Sequence, residues 1–257
     1  MGLLVFSIDG IVIREQILND NDKLLTVLTG EKGKMTVLAR GIKAIGSKRS
    51  AGAQLFCYST FTFVERNGRN VLDEIIVKDS FQELSRDVES LALASYFAEF
   101  ANRVCMEEND EAQMLRLVLN CIYALARTKA SRKMIKAAFE MQAMVILGFM
   151  PNFQQCTYCS SRLDENSQQR VFNPVSGGFI CDKCSSQEDF TLPDMGMVFH
   201  NDVYLALKYL CFSSQREMLK YPVNPKLMGV LTKACERYSL AQIEYKCPTL
   251  DYYNKNF

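Results

Sequence analysis

The sequence predicts an α+β protein of several domains: a small N-terminal β-barrel or sandwich, then a helical bundle with an inserted four-cysteine metal module. Three observations lead to this fold class. Short β-rich segments separated by glycine-bearing turns fill the first 78 residues, apolar residues then recur every three or four positions, and two Cys-x-x-Cys pairs interrupt the helical pattern. Such periods are typical of strands and of amphipathic helices.

The composition restricts the classes of function. The 257 residues include 30 Lys and Arg against 29 Asp and Glu, so only local charge clusters can indicate a partner. A single histidine argues against His-based acid–base or triad catalysis. No apolar run approaches the roughly 18 residues of a membrane helix, and no basic segment opens a secretory signal. We therefore expect a cytoplasmic protein with no membrane partner, whose ten cysteines stay reduced.

Five segments before residue 79 are typical of strands. They are Val5–Ile17, Lys23–Thr29, 34–40, 54–65 and 71–77, with glycines in the turns at 30–33 and 67–68. Five strands in this length predict a small barrel, and the OB-fold is the five-stranded barrel of this size. Four rings in the fourth segment either fill the interior or stack on nucleic-acid bases: Phe56 and Tyr58 on one face, Phe61 and Phe63 further along.

Helical periodicity begins after Ser80. It runs through 91–97, 115–125 and 134–148, where Gly148 and Pro151 indicate a helix end, and it returns after about residue 190. Asn224-Pro225 predicts a capped helix start, and His200 is expected to cap or lie on the surface. The tail after Leu240 has no assignable pattern. The expected domains are 1–78 (barrel), 79–152 (helical, first part), 153–190 (zinc module) and 191–257 (helical, second part).

The paired cysteines predict one structural zinc ion. Cys156 and Cys159 precede Cys181 and Cys184 by a spacing typical of a four-thiolate site. A Cys-x-x-Cys turn places two sulfurs on one ion, and two turns close the tetrahedron, which leaves no position for catalytic water. The alternative is a redox dithiol pair or unrelated buried thiols. The other six cysteines are expected to be small buried apolar groups.

A cluster of cations marks the third strand and the loop after it. Six fall within 18 residues that hold no acidic residue, among glycines that indicate a loop: Lys32, Lys34, Arg40, Lys43, Lys48 and Arg49. Cations on a loop can follow a phosphate backbone without reading bases, so we expect DNA binding here. The alternative is a solvated charged loop with no ligand.

The order of these features resembles the RecO family of bacterial recombination mediators. The resemblance covers about residues 1–240 and rests on short motifs that are weak singly and specific in combination. They are DKLLTVLT at 22–29, ARGIK at 39–43, SKR at 47–49, LGFMP at 147–151, and the two cysteine pairs with Gly177-Gly178 before the second.

The resemblance implies an OB-fold, a helical domain with a zinc insertion, and a non-enzymatic role in DNA repair and recombination. Family members bind single- and double-stranded DNA and anneal complementary strands. They work with RecR, in many bacteria with RecF, and with single-stranded DNA-binding protein, and together help load RecA. The resemblance places DNA binding on Arg40, Lys43, Lys48 and Arg49, and cytoplasmic localisation at the nucleoid follows.

The resulting hypothesis is a strand-annealing mediator without a catalytic centre. Cations on the barrel, with Arg127, Lys129, Arg132 and Lys133 as further candidates, would neutralise the phosphates of two strands while base pairing selects the partner. One alternative is a protein-interaction scaffold with a structural zinc and no direct DNA contact. Another is a hydrolase or nuclease, which the lone histidine and the closed thiolate shell argue against.

Overall fold

The computed structural model describes residues 5–44, 46–47, 49–66 and 68–257, with Arg66 described by its backbone alone. The chain divides into two compact units, Met1–Lys129 with Cys247–Phe257, and Ala130–Lys246. Within the described ranges, no helix combines the length and the apolar character that crossing a membrane requires. The predicted α+β class, strand-rich at the N-terminus and helical afterwards, is confirmed.

Five strands of the first unit pair in a closed ring, in the order β1-β2-β3-β5-β4. Neighbours are antiparallel except β3 and β5, which are parallel. The strands are β1 (Val5–Ile17), β2 (Lys23–Thr29), β3 (Lys34–Ala39), β4 (Tyr58–Arg66) and β5 (Arg69–Asp79). All five predicted strands are present, so the sheet has no open edge along the ring.

The first strand, β1, pairs with both β2 and β4, and Gly10 lets it coil between these two partners. Gly10 lies opposite Thr29 in the ladder to β2 and opposite Ser59 in the ladder to β4. A Cβ at this position would lie 2.5 Å from Val27 Cγ1, so no other residue fits without a shift.

The barrel interior takes two of the four aromatic rings predicted in the fourth segment. Phe61 and Phe63 are fully buried, with ring centroids 5.9 Å apart. They are core residues, and neither ring is available to a base. The expectation that Phe56 and Tyr58 share a strand face is wrong, because Phe56 lies before β4 with φ +66° and is buried in a turn.

The helical part contains most of the predicted segments. The helices are α1 (Val88–Val104), α2 (Ala112–Arg127), α3 (Arg132–Ile146), the single turn α4 (Asp182–Ser185), α5 (Asn201–Phe212), α6 (Pro225–Ile243) and α7 (Pro248–Asn256). Asn224 caps α6 by accepting from the Lys226 amide, and His200 Nδ1 accepts from the Asp202 amide at the start of α5. Both predicted helix starts are therefore confirmed.

The unassigned tail forms a helix that packs on α1. The Glu99 carboxylate accepts from the Thr249 amide at 3.0 Å and from the hydroxyl of the same residue. The Tyr253 hydroxyl donates to Glu89 Oε1 at 3.1 Å. Only Leu250 and Tyr253 of α7 are buried, which is why periodicity in the sequence did not show it.

The second unit combines α3, α5 and α6 with a four-stranded sheet in the order β6-β8-β7-β9. Its strands are β6 (Asn152–Cys156), β7 (Gln169–Asn173), β8 (Gly178–Ile180) and β9 (Met197–His200). The last strand lies where a helical pattern was expected to resume, so the sheet extends beyond residue 190. Phe172 and Phe179 are fully buried. The Phe172 ring packs against Tyr238 of α6, and the Phe179 ring packs edge-to-face against Tyr204 of α5.

Candidate metal centre and nucleic-acid interface

The four cysteines of the two Cys-x-x-Cys pairs meet at one point of the second unit. All four sulfur atoms lie within 4.8 Å of one another, and the Cys159 and Cys181 sulfurs are 3.7 Å apart. A tetrahedron with zinc–sulfur bonds of about 2.3 Å has sulfur–sulfur edges of about 3.8 Å. The predicted residues are thus brought together in an arrangement that could hold a metal ion.

Two backbone turns position the sulfurs. Cys156 ends β6, which pairs with β8, and Cys181 immediately follows β8 and precedes the turn α4. The Cys156 sulfur accepts from the Tyr158 amide at 3.4 Å and from the Cys181 amide at 3.3 Å. Amide donors of this kind stabilise a thiolate, and they orient the sulfur toward its three neighbours.

Hydrogen bonds also shift the pKa values of two of these thiols in opposite directions. The Ser161 hydroxyl lies 3.3 Å from the Cys159 sulfur. Hydrogen bonds with the side chain of Ser161 first, then with its backbone and with Cys184, lower the pKa of Cys159 to about 6. Hydrogen bonding to Cys159 raises the pKa of Cys184 to about 12, because the neutral thiol is the donor. A metal must displace the remaining thiol protons, so its affinity for this cluster falls as the pH falls.

The donor set fits zinc and leaves no ligand position for water. Four thiolates are the soft donors that Zn²⁺ takes in closed structural sites. Cys156 and Cys184 are buried, whereas Cys159 is exposed at the surface of the cluster. The other six cysteines are all buried, as expected for small apolar groups.

Two of the six predicted DNA-binding cations project from the loop after β3. Arg40 and Lys43 are exposed, and neither forms an ion pair among those found in the described chain. The loop that carries them is attached to the turn after β1. The Gly41 amide donates to Asp22 Oδ1 at 2.8 Å, and the Lys43 amide donates to Asn21 O at 3.1 Å.

The Asp22 attachment persists at neutral pH. The Gly41 amide lowers the pKa of the Asp22 carboxyl below its usual 3.8. A depressed carboxyl pKa contributes stability above the ordinary value and loses it as the pH falls through the lowered one. The Asp22 carboxylate is therefore ionised at neutral pH, the form that accepts from the Gly41 amide.

Arg49 bonds the far end of this loop to the barrel. Its guanidinium donates to Leu72 O at 2.9 Å and Asp73 O at 3.3 Å on β5, and to Arg40 O at 2.9 Å. A side chain with three carbonyl partners holds the loop against the barrel, although its charge still adds to the local potential. Lys48, also predicted to bind DNA, lies outside the described residues.

Lys32 and Lys34 have protein partners at the opposite end of β3. Lys34 Nζ donates to Asn102 O at 2.8 Å, and Lys32 lies 3.6 Å from the Glu108 carboxylate and over the Phe6 ring. Arg127 is similarly engaged, because Asp79 and Glu83 both accept from its guanidinium. Among the five described members of the predicted set, Arg40 and Lys43 are exposed on the loop, and Lys43 Nζ also donates to Asn19 O at 3.5 Å. The side chains of Lys32, Lys34 and Arg49 have partners within the first unit.

A groove of about 520 Å³ runs along the outside of β2 and β3. Its floor includes Leu24, Thr36 and Leu38, and Arg69 at the β4–β5 turn joins Lys34 as a cation lining it. None of the described residues lining it is aromatic. Sequence reasoning missed Arg69 because it follows a turn far along the chain, and only the β3–β5 pairing brings it here.

Two acidic residues complete the lining at the start of β3. Glu107 pairs with Gly33 in a short antiparallel bridge, and Glu108 donates its amide to Lys32 O at 3.0 Å. Glu111 fixes this segment by accepting from the Met106 amide and from Asn109. Glu107 and Glu108, called the acidic rim below, are both exposed.

Gly33 permits the close contact between β3 and the acidic rim. Its φ is +61°, and a Cβ there would lie 2.0 Å from Met106 O. We expect Gly33→Ala to lower the free energy of unfolding by about 2–4 kcal/mol, from strain and loss of the 106–108 backbone bonds. Gly41→Ala serves as the control, because Gly41 also has positive φ but open space around it. Equal unfolding midpoints for Gly33→Ala and Gly41→Ala would contradict the strain assigned to position 33.

The sequence of this protein matches two models of one family. Residues 1–81 match the model described as recombination protein O N terminal, and residues 85–194 match recombination protein O C terminal. A DNA repair protein RecO of Acetivibrio thermocellus is 28% identical over 95% of this chain and 94% of its own length. One from Symbiobacterium thermophilum is 27% identical over 97% of both chains, and one from Clostridium perfringens is 26% identical over 87% of both.

The fold and the site define a class: an α+β protein with a strand-rich N-terminal barrel, a helical part and a four-cysteine cluster. The two family matches extend over both halves of that description. The chain belongs to the RecO family.

Proposed function

We propose that this protein is a DNA-binding mediator of recombinational repair that binds single and double strands on its barrel and anneals complementary strands. The observation that carries the proposal is the exposed pair Arg40 and Lys43, on a loop fixed to the barrel surface beside the β2–β3 groove. Membership of a family whose relatives are named DNA repair proteins supports it.

The barrel is proposed to be an OB-fold. Its ring order β1-β2-β3-β5-β4, with β3 and β5 parallel, is consistent with a five-stranded Greek-key barrel. OB-folds bind oligonucleotides on the face of strands 2 and 3, between the loops after strands 1 and 4. The groove occupies that face here, and the cationic loop is bonded to the first of those two loops.

The proposed mechanism is electrostatic. A strand on the groove gains affinity from released counterions, and the neutralised phosphates repel a complementary strand less. Since no ring lines the groove among the described residues, stacking would add little, and binding should be largely independent of sequence. Base pairing between the strands would then select the correct partner.

The metal site has a structural part in this proposal. Zinc, when bound, would join the Cys156 and Cys181 turns and so stabilise the sheet that packs on α5 and α6. We propose no catalytic centre. The proposed partners are those that the resemblance implies: RecR, single-stranded DNA-binding protein, RecF as in many bacteria, and RecA indirectly, at the nucleoid in the cytoplasm.

The test is a salt series of DNA titrations with the double variant Arg40→Ala, Lys43→Ala. Each phosphate contact to a single strand contributes about 0.7 to the log–log salt slope, so the slope should fall by about 1.4 in magnitude. Affinity should fall alike for oligonucleotides of different sequence. Fluorescence anisotropy of a labelled 20-nucleotide strand measures both quantities.

The matched control removes two exposed cations from the second unit, Lys183→Ala with Arg216→Ala. It should leave the slope within about 0.3 of the wild-type value, since the proposal assigns the phosphate contacts to the barrel alone. If the barrel variant retained the full affinity and slope, the loop would not be the interface. If the wild type bound no DNA at low salt, a protein-interaction scaffold would replace the proposal.

A further inference from the structure

The four cysteines of the metal centre differ in their access to solvent. Cys159 is exposed and Cys181 is half-buried, whereas Cys156 and Cys184 are buried. The sulfurs of the two accessible members, Cys159 and Cys181, lie 3.7 Å apart. The edge of the sulfur tetrahedron that joins these two residues is therefore the side from which a small reagent in solvent can reach the centre.

Access, rather than hydrogen bonding, distinguishes Cys159 from the buried members. The Cys156 sulfur accepts from two amides, and the Cys159 sulfur also has a polar neighbour, the Ser161 hydroxyl at 3.3 Å. Cys156 and Cys184 are only 2% and 8% exposed. Oxidation requires contact between the oxidant and a thiolate sulfur, so it is selective for accessible thiolates. We therefore expect oxidation of the centre to begin at Cys159.

Cys181 is placed to complete a reaction that begins at Cys159. An oxidised cysteine sulfur condenses with a neighbouring thiolate, and redox-sensing cysteines commonly have such a partner beside them. The two sulfurs must approach by only about 1.7 Å to reach the disulfide length of about 2.0 Å. Cys181 directly follows β8, which pairs with the strand that ends at Cys156. A Cys159–Cys181 disulfide would thus join the same two turns that the metal joins.

We propose that the Cys159–Cys181 edge is a peroxide-reactive modification site, at which oxidation forms a reversible disulfide and releases the zinc ion. The Cys159 thiolate attacks one peroxide oxygen and breaks the O–O bond, which gives a sulfenic acid and one hydroxide. The Cys181 thiolate then attacks the Cys159 sulfur, forms the S–S bond and displaces the second hydroxide. The two sulfurs lose two electrons, the peroxide gains them, and two protons from solvent convert the hydroxides to water.

The metal leaves as Zn²⁺, with its charge unchanged, because oxidation leaves two thiolates. Cys156 and Cys184 alone cannot close a tetrahedral shell. A thiol reductant attacks the disulfide and regenerates both thiolates, so zinc can bind again. The centre would then respond to oxidant, in addition to stabilising the sheet of the second unit, and this response is independent of DNA binding by the barrel.

The test treats the zinc-loaded full chain with hydrogen peroxide in the absence of reductant. A chromogenic chelator follows the released zinc, and mass spectrometry locates the first cross-link after the remaining thiols have been alkylated. We expect zinc release to keep pace with formation of one disulfide, between Cys159 and Cys181. Dithiothreitol with added zinc should then restore the zinc content.

Cys159→His removes the accessible thiolate and keeps four ligands of the types that zinc takes in proteins. We expect this variant to bind zinc and to release it in peroxide at least about tenfold more slowly than the wild type. Cys211→Ala is the matched control, because it removes a buried cysteine of the same unit outside the cluster. It should release zinc at the wild-type rate.

The position of the first cross-link in the wild type decides the inference, even if Cys159→His fails to hold zinc. A first cross-link within either Cys-x-x-Cys turn, or at a cysteine outside the cluster, would overturn it. Equal release rates for the wild type and Cys159→His would also overturn it. So would a wild type that contains no zinc, that retains zinc in peroxide, or that does not regain it after reduction. None of these readouts involves DNA, so the salt series decides the proposed function separately.

Discussion

We expect the wild type to purify with one zinc ion per chain and the double variant Cys156→Ser, Cys181→Ser to purify without zinc. Each Cys-x-x-Cys pair loses one ligand, and two thiolates cannot close a tetrahedral shell. Structural zinc contributes about 10–16 kcal/mol in finger peptides, so the segment around β6 and β8 should lose its order. We expect the unfolding midpoint to fall by about 10 °C or more, measured by calorimetry beside metal analysis.

Cys211→Ala is the control for this pair, because Cys211 is a buried free thiol in the same unit but outside the cluster. It should keep the full zinc content and lose only about 1–2 kcal/mol from the small cavity. The sheet also rests on Tyr204 and Tyr238, so α5 and α6 should remain helical in the zinc-free variant. Zinc at full stoichiometry in the double variant would contradict the assignment of these ligands.

Lys136→Met is expected to destabilise the second unit by about 3–5 kcal/mol at pH 7. Lys136 is 3% exposed, and its ammonium donates to Glu140 Oε1 and Glu236 Oε2, each at 2.7 Å. Glu140 has no exposed side-chain surface, so losing this ammonium leaves its carboxylate in a poorly solvated place. Chemical denaturation measures the loss, and Lys133→Met, exposed one turn earlier on α3, should cost less than about 0.5 kcal/mol.

The free energy of unfolding that Lys136→Met removes should become smaller as the pH falls toward 5. Acid protonates carboxylates, and a neutral Glu140 side chain in the variant no longer carries a buried charge without the Lys136 ammonium beside it. In the wild type, burial alone would lower the pKa of Lys136, but the two carboxylates outweigh it and the pKa lies above its usual 10.5. The contribution of Lys136 is thus complete below that value and is lost only as the pH rises through the raised pKa. A loss that grew in acid would contradict this explanation.

Local patterns were sufficient to predict the strands and the clustering of the four cysteines. Alternation and glycine turns mark each strand of the barrel, and Cys-x-x-Cys spacing is itself the geometry that a tetrahedral ion requires. Strand alternation and cysteine spacing depend on residues that are close in sequence. They can therefore be recognised in a single sequence without information on tertiary contacts.

Features that depend on distant contacts were missed. Arg49 was predicted as a phosphate ligand, and nothing in its neighbours shows that β5 supplies carbonyl partners for its guanidinium. Glu107 of the acidic rim lies 74 positions after Gly33, the residue with which it pairs just before β3. Gly33 was explained by the turn at 30–33, and that explanation gave no indication of the close contact with Met106 O that the structure shows there.

The central claim is that cations on the barrel bring complementary strands together. The most direct measurement is the rate at which two dye-labelled complementary oligonucleotides anneal, at low salt, with wild-type protein and with Arg40→Glu, Lys43→Glu. We expect the wild type to accelerate annealing above the spontaneous rate, and the acceleration to disappear in the variant and at high salt. Annealing at the spontaneous rate with saturating wild-type protein, or equal acceleration by the variant, would contradict the claim.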